Sequence, residues 1–203
     1  QGKHQLLIKK ANCYDLILDY YPAQTRLMKQ DIENRNNNIK VMSFLTNIEP
    51  DSSTYLKPLE QCEWDICVIG TVSKRRKKIY DKLCKFGYRL SPYNGDLGTV
   101  MANSRLTLNV HIYDCDNLEL SRIIETIKIG RCLVTENCYG LDNLLPRFCY
   151  CSDKYSRLVD HIQDLLKDPE RMNKVGQEAR DYVNNIYQQQ CEQSWRQIID
   201  VLP

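Results

Sequence analysis

The sequence predicts an α/β fold built on an open, mostly parallel β-sheet with helices on both faces. Short apolar segments of strand length alternate with amphipathic segments of helix length along most of the 203 residues, and this alternation is typical of βαβ units. The clearest strand, Leu106–Ile112, is apolar enough to be covered on both faces, as the strands of parallel sheets are. A helix and a second apolar strand follow it directly along the chain.

The first quarter of the chain predicts a strand, a helix and a second strand. Residues 14–20 (YDLILDY) and Ile39–Leu45 have the apolar character of strands, and a helix is predicted from Pro22 to Lys29 between them. The segment Glu49–Pro58 has two prolines and no periodicity. This composition predicts a linker in front of the main domain.

The main domain is predicted to begin with a short apolar strand at Asp65–Gly70. Further strands are predicted at Tyr88–Leu90, Leu106–Ile112 and Cys132–Thr135. Helical patterns are found at Lys74–Phe86, Leu97–Asn103, Arg122–Ile129, Tyr155–Lys167 and Glu170–Val183. A last helix is indicated by the apolar stripe of Trp195, Ile198, Ile199 and Leu202.

The helix after Leu106–Ile112 carries the first sign of a ligand site. Ser121 is the predicted N-cap and Gly130 the predicted C-terminal stop, while Ile123, Ile124 and Ile127 form the core stripe. Arg122 and Glu125 lie three residues apart on another face. A helix that starts at the carboxyl end of a parallel strand faces the usual ligand crevice and attracts phosphate, and a Glu there can accept hydrogen bonds from a ribose diol. These features predict a nucleotide site.

A second helix start is unusually basic. Ser73 is a predicted N-cap, and the first five residues of the following helix, Lys74–Lys78, are all cationic. Cations at a helix N-terminus oppose the macrodipole, so we expect Lys74, Arg75 or Arg76 to contact a pyrophosphate there. The alternative is a solvated basic face, which is the interpretation favoured for Lys77 and Lys78.

The stretch from Leu106 to Leu145 resembles the donor-binding half of GT-B glycosyltransferases. The similarity is greatest to the group 1 members related to spore-maturation glycosyltransferases, in which a strand ending like LNVH is followed by SR-x-x-E, an apolar run to Gly, and a loop like YGLDNLL. Similar motifs extend from about Asn12 to the C-terminus. The resemblance implies a Rossmann-like single GT-B half in which Glu125 holds the donor ribose and the Ser121 region holds the diphosphate.

The resemblance also implies a domain organisation. Residues 1–60 would be a remnant of the acceptor half with a linker, residues 61–187 the nucleotide-sugar-binding domain, and residues 188–203 a C-terminal crossing helix. Many retaining members carry a second Glu eight residues before this one, but here that position is Asn117. Retention or inversion of the sugar configuration is therefore left open, and no catalytic residue is assigned.

Four other side chains are candidates for donor contacts. Thr71 belongs to the same basic loop, and Tyr93 is either a stacking platform for the base or a plain turn residue. His111, at the end of its strand, is either structural or in contact with the sugar or phosphate. Arg122 either pairs with Glu125 or reaches the phosphate.

The pair Asp114 and Asp116 supports a rival hypothesis. A D-x-D sequence after an apolar strand is how GT-A glycosyltransferases hold a divalent metal, although Asp is also common in turns. The SR-x-x-E motif and the closing helices favour the GT-B half, so no metal cofactor is expected.

Composition limits the remaining function classes. A net charge of +2 with a pI near 8.0 indicates no strong attraction to nucleic acid or anionic membranes, and no apolar run is long enough to span a bilayer. The ten cysteines include no C-x-x-C pair, and Cys149-x-Cys151 is a poor metal site. We therefore expect reduced thiols in a cytoplasmic protein. The start at Gln1 suggests an excised domain or a processed fragment.

The leading hypothesis is a metal-independent glycosyltransferase domain of the hexosyl- or deoxyhexosyl-transferase type. It would bind a nucleoside diphosphate sugar such as a UDP-sugar, transfer the sugar to a glycan or other acceptor, and belong with further domains. One alternative is a non-catalytic interaction module that keeps the nucleotide-sugar fold. The other is a metal-dependent glycosyltransferase using Asp114 and Asp116.

Overall fold

The computed structural model describes residues 16–19, 22–33, 40–43, 45, 55–92, 96–114 and 119–200. Contacts between residues divide the chain into two units, one made of residues 1–47 and 187–203 and the other of residues 48–186. The second unit contains the sheet and helices that form the candidate site.

The first unit contains a parallel strand pair and a helix. Strand β1 (Leu16–Asp19) pairs in parallel with β2 (Lys40–Ser43), and helix α1 (Pro22–Glu33) lies between them in sequence. The buried side chains Met28 and Ile32 of α1 pack with Val41 of β2. A strand–helix–strand arrangement was predicted for this part of the chain.

A four-stranded parallel sheet forms the centre of the second unit. Its strands are β3 (Trp64–Val68), β4 (Ser104–Asn109), β5 (Cys132–Glu136) and β6 (Cys151–Asp153), hydrogen-bonded in that order. In the register, Ile66 pairs with Leu106 and Leu106 with Cys132. All four strands therefore present their carboxyl ends at the same edge of the sheet.

Helices cover both faces of this sheet. They are α2 (Lys74–Lys85), α3 (Leu97–Ala102), α4 (Leu120–Ile129), α5 (Leu158–Leu166) and α6 (Pro169–Tyr182). On one face, Ile66 and Val68 pack with side chains of α2 and α5. On the other, Cys67 and Ile69 pack with Met101 of α3 and Ile129 of α4. Alternate residues of a strand point to opposite faces of the sheet, so β3 contributes to both of these cores. A parallel sheet covered by helices on both faces confirms the predicted α/β class.

The chain reverses direction across the sheet between β3 and β4. After β3 and α2, Leu90 makes an isolated parallel bridge to Ile66, on the edge of β3 that is not paired with β4. The chain then returns to the other side of β3 to form β4. A crevice at such a switch point is the usual ligand site of an open α/β sheet.

Some predicted bounds were wrong. Tyr88–Leu90 is not a strand, because only Leu90 bridges to Ile66 and the preceding Gly87 has a positive φ of 86° that interrupts extended backbone. Strand β6 was missed because it has only three residues, too few for a periodic pattern. The predicted strand at Leu106–Ile112 starts earlier and ends at Asn109, and the three residues Tyr155–Arg157 form a 3-10 turn before α5.

The start of α4 also differs from the prediction. The helix begins at Leu120 and its N-cap is Glu119, which makes no side-chain capping bond. Ser121 therefore lies in the first turn and does not cap the helix. The helix extends to Leu120 because this side chain is buried, and burial outweighs the modest preference of Ser for an N-cap.

The last helix, α7 (Gln188–Ile199), belongs to the first unit. It follows α6 through a π-helical turn at Val183–Tyr187, and its Ser194 Oγ accepts a hydrogen bond of 3.3 Å from the backbone N–H of Leu45. Ile198 is buried whereas Ile199 is exposed. Only part of the predicted apolar stripe is therefore in the core, and Leu202 lies outside the described residues.

None of the helices in the described ranges is long and apolar enough to cross a membrane. No disulfide is found among the eight cysteines within those ranges. Cys13 and Cys115 lie outside them, and the reduced state of the protein stays a prediction.

Candidate donor-binding site

Three loops meet at the carboxyl edge of the sheet next to the switch point. They follow β3, β4 and β5 and lead, in the first two cases, into the N-termini of α2 and α4. These are the two helix starts that the sequence singled out. Their side chains and those of the third loop form the candidate site.

The first turn of α2 is capped as predicted. Ser73 Oγ accepts the backbone N–H of Arg76 at 3.2 Å. Lys74 and Thr71 are exposed, and the Thr71 carbonyl accepts a hydrogen bond of 2.8 Å from Arg76 Nη1. Lys74, the first residue of the helix, faces solvent.

Arg76 is completely buried and connects three segments of the site. Its Nε donates to the Val110 carbonyl at 2.7 Å, and its Nη2 lies 3.2 Å from a carboxylate oxygen of Glu119. With the bond to Thr71, the guanidinium links the loop after β3, the end of β4 and the start of α4. The hydrogen-bond donors of Arg76 already bind acceptors within the protein. Arg76 therefore holds the three segments together and is not exposed to a ligand.

Arg75 is bound to the loops that follow β4 and β5. It makes a bidentate pair with Glu136, donates to the His111 carbonyl at 3.2 Å, and lies over the Tyr155 ring at 3.9 Å. The hydrogen bonds that Arg75 donates to Glu136 raise the pKa of Arg75 above its ordinary value, against a smaller opposing effect of burial. Asp114, which is fully exposed, lies 3.5 Å from the same guanidinium.

Arg122 reaches the first loop from α4. Its Nη1 donates to Glu119 at 2.6 Å and to Asn109 Oδ1 at 3.3 Å. A Cβ atom added at Gly70 would lie only 2.8 Å from Arg122 Nη2 and 3.1 Å from Arg76 Nη1. Gly70, at a φ of +82°, is thus a position where both the backbone conformation and the approach of two guanidiniums require a glycine.

The positive charge around Gly70 exceeds the negative charge. Arg76 and Arg122 share the single carboxylate of Glu119, and within the described residues Arg122 Nε and Nη2 have no hydrogen-bond acceptor. Burial lowers the pKa of Arg122; Glu119 opposes this effect and the nearby Arg76 adds to it. Arg still remains charged at any physiological pH, so the cluster favours an anion.

Glu125 does not pair with Arg122, which was one of the two predicted roles for that arginine. Its carboxylate lies 3.8 Å from Lys128 Nζ and its side chain is 46% exposed. Glu125 is three residues beyond Arg122, and residues at this spacing lie on the same face of a helix. Ile129, about one turn further on, packs on β3 and α3. The carboxylate is therefore on the same face of α4 as Arg122 and is accessible to solvent.

His111 is buried and its ring faces the loop after β5. Its side chain is 1% exposed, its backbone N–H donates to Glu136 at 3.1 Å, and its Nε2 lies 3.2 Å from Cys138 Sγ. Two further candidates cannot be placed in the same way. Tyr93 lies outside the described residues, and for Ser121 only the backbone is described.

Sequence reasoning missed the acidic residues of the site. Glu119 holds Arg76 and Arg122, and Glu136 holds Arg75. Glu136 ends β5 as His111 follows β4, so the rule that carboxyl ends of parallel strands meet at one edge could have identified it. Glu119 lies three residues before Arg122, which is a local signal for that pair, whereas nothing in the sequence indicated its pairing with Arg76, 43 residues away.

The described residues contain no group of three or more His, Cys, Asp or Glu side chains arranged to hold a metal ion. Asp116 lies outside these residues. Metal binding by Asp114 and Asp116 therefore stays a hypothesis.

Comparisons with known proteins agree with this architecture. The structure is similar to an α,α-trehalose-phosphate synthase (UDP-forming) from Burkholderia vietnamiensis, with a TM-score of 0.68, 11% identity, and coverage of 100% of this chain and 62% of the other. HepE from Anabaena, in complex with UDP and glucose, gives a TM-score of 0.66, 11% identity, and coverage of 99% and 67%. TarM gives a TM-score of 0.63 and 15% identity, with coverage of 98% of this chain and 46% of TarM.

These structural neighbours are GT-B glycosyltransferases, and the chain spans about half to two thirds of their length, from 46% to 67% in the three cases. At such low identity the similarity shows the shared fold. No protein of curated function matches the chain by sequence. A family described as "Glycosyl transferase-like" matches residues 53–200, which is well over half of the chain. The chain therefore belongs to the glycosyl transferase-like family and has the Rossmann-like fold of GT-B glycosyltransferases.

Proposed function

We propose that this domain binds a nucleoside diphosphate sugar and takes part in the transfer of the sugar to a glycan or other acceptor without a metal ion. The observation that carries the proposal is the convergence of Arg122 and the N-terminal turn of α2 at Gly70. This point lies at the switch point of the sheet, where a ligand crevice is expected.

The charge at this point suits a diphosphate. Two guanidiniums share one carboxylate there, and the start of α2 adds the positive end of a helix dipole. When the bond between sugar and phosphate breaks, the leaving diphosphate gains negative charge. Arg122, the α2 amides and Lys74 would stabilise that charge electrostatically, in a site arranged before the reaction begins.

Glu125 is the proposed partner of the donor ribose. Its exposed carboxylate is one helical turn from Arg122, so a ligand with its diphosphate at Gly70 could place a ribose diol near Glu125. The proposal of a uridine nucleotide is supported by the solved structures of HepE with UDP and glucose and of a pneumococcal O-GlcNAc transferase, GtfA, with UDP and GlcNAc.

We assign the other predicted site residues different parts in the same proposal. Arg76 and Arg75 would position the loops without needing to touch the donor, because their donors already bind protein acceptors. Thr71, Ser121 and Tyr93 stay predicted donor contacts. His111 would stabilise the loop after β5 and is considered again below.

The finer assignments rest on the sequence. Membership of the group 1, spore-maturation type, a hexosyl- or deoxyhexosyl-transferase activity, a cytoplasmic location and the presence of further domains are all parts of this proposal. So are the domain limits of 1–60, 61–187 and 188–203. The acceptor would be bound largely by protein outside this sheet, since the chain matches only part of its structural neighbours.

The test is a calorimetric titration of the chain with UDP and with uridine, in EDTA and then with Mn²⁺. Arg122→Ala should weaken UDP binding by about 1–3 kcal/mol, the value of a hydrogen bond to a charged group, and leave uridine binding nearly unchanged. Glu125→Ala should weaken both, because both ligands carry the ribose. Lys77→Ala is the matched control, since Lys77 is an exposed cation of α2 that pairs with Asp81.

The possible results separate the hypotheses. UDP binding in EDTA supports the proposal, and binding that requires Mn²⁺ supports a metal-dependent site with Asp114 and Asp116. No nucleotide binding supports a non-catalytic module. If Arg122→Ala changes UDP affinity no more than Lys77→Ala does, the electrostatic role of the cluster at Gly70 is wrong.

A further inference from the structure

A cysteine and a histidine meet where β4 and β5 end. Cys138 lies two residues beyond β5 and His111 two residues beyond β4. Cys138 Sγ is 3.2 Å from His111 Nε2, which is within hydrogen-bond reach for a sulfur atom. A thiol and an imidazole at this separation can exchange a proton.

His111 is held in this orientation by its surroundings. Its ring is almost completely buried, its backbone N–H donates to Glu136 Oε2 at 3.1 Å, and its carbonyl accepts Arg75 Nη1 at 3.2 Å. Glu136 Oε2 is also 3.9 Å from the second ring nitrogen, Nδ1. A nucleophile and a base held beside it are the parts of an activated thiol site; at 3.9 Å the Glu136 carboxylate is near the ring but beyond hydrogen-bond distance.

Cys138 is also accessible in a way that most other thiols of the chain are not. It is partly exposed, whereas six other described cysteines are buried, namely Cys62, Cys67, Cys132, Cys149, Cys151 and Cys191. Its sulfur also lies 3.1 Å from the Glu136 carbonyl, which accepts the thiol proton when His111 does not, and 3.7 Å from Thr135 Oγ1. Among the described thiols, Cys84 of α2 is the exposed one, and no described imidazole contacts it.

We propose that Cys138 is a nucleophilic thiol served by His111 as its base, and that it is a modification site for hydroperoxides and soft alkylating electrophiles. With hydrogen peroxide, His111 takes the thiol proton and the sulfur attacks one peroxide oxygen. An S–O bond forms as the O–O bond breaks, and the released hydroxide takes the proton from His111. The thiol is oxidised to sulfenic acid while the peroxide is reduced to water.

The position of this thiol connects it to the donor site. Glu136, whose carbonyl accepts the thiol, is also the partner of Arg75 at the start of α2. On the proposed function, a nucleoside diphosphate bound between α2 and α4 would shield Cys138 from reagents. Modification of the sulfur would in turn weaken nucleotide binding.

The first experiment measures the alkylation rate of each thiol in the wild-type chain with iodoacetamide, by quenched time points and mass spectrometry. Cys138 and Cys132 share the tryptic peptide between Arg131 and Arg147, so fragment ions must separate them. Despite its lower exposure, Cys138 should react about tenfold faster than Cys84, a modest part of the gain that a positioned base provides. A Cys138 rate equal to or below that of Cys84 overturns the proposal.

The second experiment removes the base. His111→Gln should lower the Cys138 rate to the level of Cys84, while His161→Gln, which removes a histidine of α5, should leave it unchanged. A fast Cys138 that does not depend on His111 would contradict the role of the base. Circular dichroism reports whether His111→Gln is folded, and the comparison within the wild-type chain decides the matter if it is not.

The last experiment adds UDP or hydrogen peroxide. UDP at saturation should slow the alkylation of Cys138 and not of Cys84, and peroxide should yield a sulfenic acid at Cys138 that a dimedone probe traps. If calorimetry shows that UDP does not bind, the proposed function fails while the reactivity of the thiol is still measured without nucleotide. UDP that binds without protecting Cys138 overturns the connection to the donor site.

Discussion

At the scale of residues, the basic start of α2 is explained by carboxylates that were distant in sequence. Buried charges are tolerated when they are paired, and here Glu136 binds Arg75 while Glu119 binds Arg76. These pairs offset the unfavourable interaction of cations with the helix dipole. Lys74 faces solvent and Arg122 keeps two donors without a described acceptor, so these are the cations that a ligand can meet.

Substitution of Gly70 tests the arrangement of Arg122 beside the start of α2. Gly70→Ala places a Cβ at a positive φ of 82° and 2.8 Å from Arg122 Nη2, so the chain should lose about 1–2 kcal/mol of unfolding free energy from the backbone and the guanidinium should move. Urea unfolding measures the first effect and UDP titration the second. Gly87→Ala is the matched control, because Gly87 has a φ of 86° with nothing within 4 Å of the added atom. Both variants should lose stability, and only Gly70→Ala should lose UDP affinity. Equal UDP affinities of the two variants would show that UDP binding does not depend on the position of the Arg122 guanidinium beside Gly70.

At the scale of elements, α6 packs against the turn between α4 and β5 at a contact between two glycines. A Cβ on Gly176 would overlap the Gly130 carbonyl oxygen and lie 3.0 Å from its carbon. The neighbour is backbone, and Gly130 itself is held at a φ of 87°. This close approach fixes how α6 covers the sheet, since backbone atoms cannot move aside as a flexible side chain can.

Gly176→Ala should therefore destabilise the fold although alanine favours helices. The expected net loss is about 2 kcal/mol, since overpacking costs about 3 kcal/mol and the gain in helix propensity is about 1 kcal/mol. The control is Asn173→Ala at an exposed position of α6, which should be neutral or slightly stabilising. Thermal and urea unfolding of both variants give the comparison. A Gly176→Ala chain as stable as the control would mean that α6 can shift away from β5.

At the scale of the whole molecule, buried thiols make the sheet unit sensitive to alkali. Burial raises the pKa of Cys67 to about 11 and that of Cys149 to about 12, from an ordinary value of 9.0. It also raises the pKa of Cys62, although nearby Arg131 opposes the effect. Thiols of the unfolded chain therefore lose protons at a lower pH than those of the folded chain. The stability that these three thiols contribute is complete below about pH 9 and falls as the pH rises toward 11.

Cys67→Ala measures one part of this loss. The wild type should lose about 1.4 kcal/mol through Cys67 between pH 8 and pH 10, because a tenfold difference in ionisation corresponds to that free energy. The difference in unfolding free energy between wild type and Cys67→Ala should therefore shrink by this amount over the same interval. The internal control is that the difference stays constant between pH 7 and pH 8. A difference that does not change up to pH 10 would contradict the raised pKa.

Much of the fold could be predicted because the sequence patterns of its strands and helices depend on residues close together in the chain. The apolar runs of β3, β4 and β5, the Ser73 cap and the stop at Gly130 depend on residues a few positions apart. The core stripe of α4 was also correct, with Ile123 and Ile127 fully buried. The failures have local causes as well: β6 is too short for a periodic signal, and Leu120 extends α4 because its side chain is buried.

The candidate site could be predicted in its position and not in its contacts. The sequence by itself determined the α/β class, the two helix starts at the ends of strands, and Glu125 on the face of Arg122. Only the tertiary structure decided that Arg75 pairs with Glu136, 61 residues away, and that Cys138 meets His111, 27 residues away. The physical reason is that strand and helix preferences arise between near neighbours in the chain. Which charges are buried together depends on which strands lie side by side. Only in the folded structure does the energy of each ion pair offset the cost of removing its charges from water.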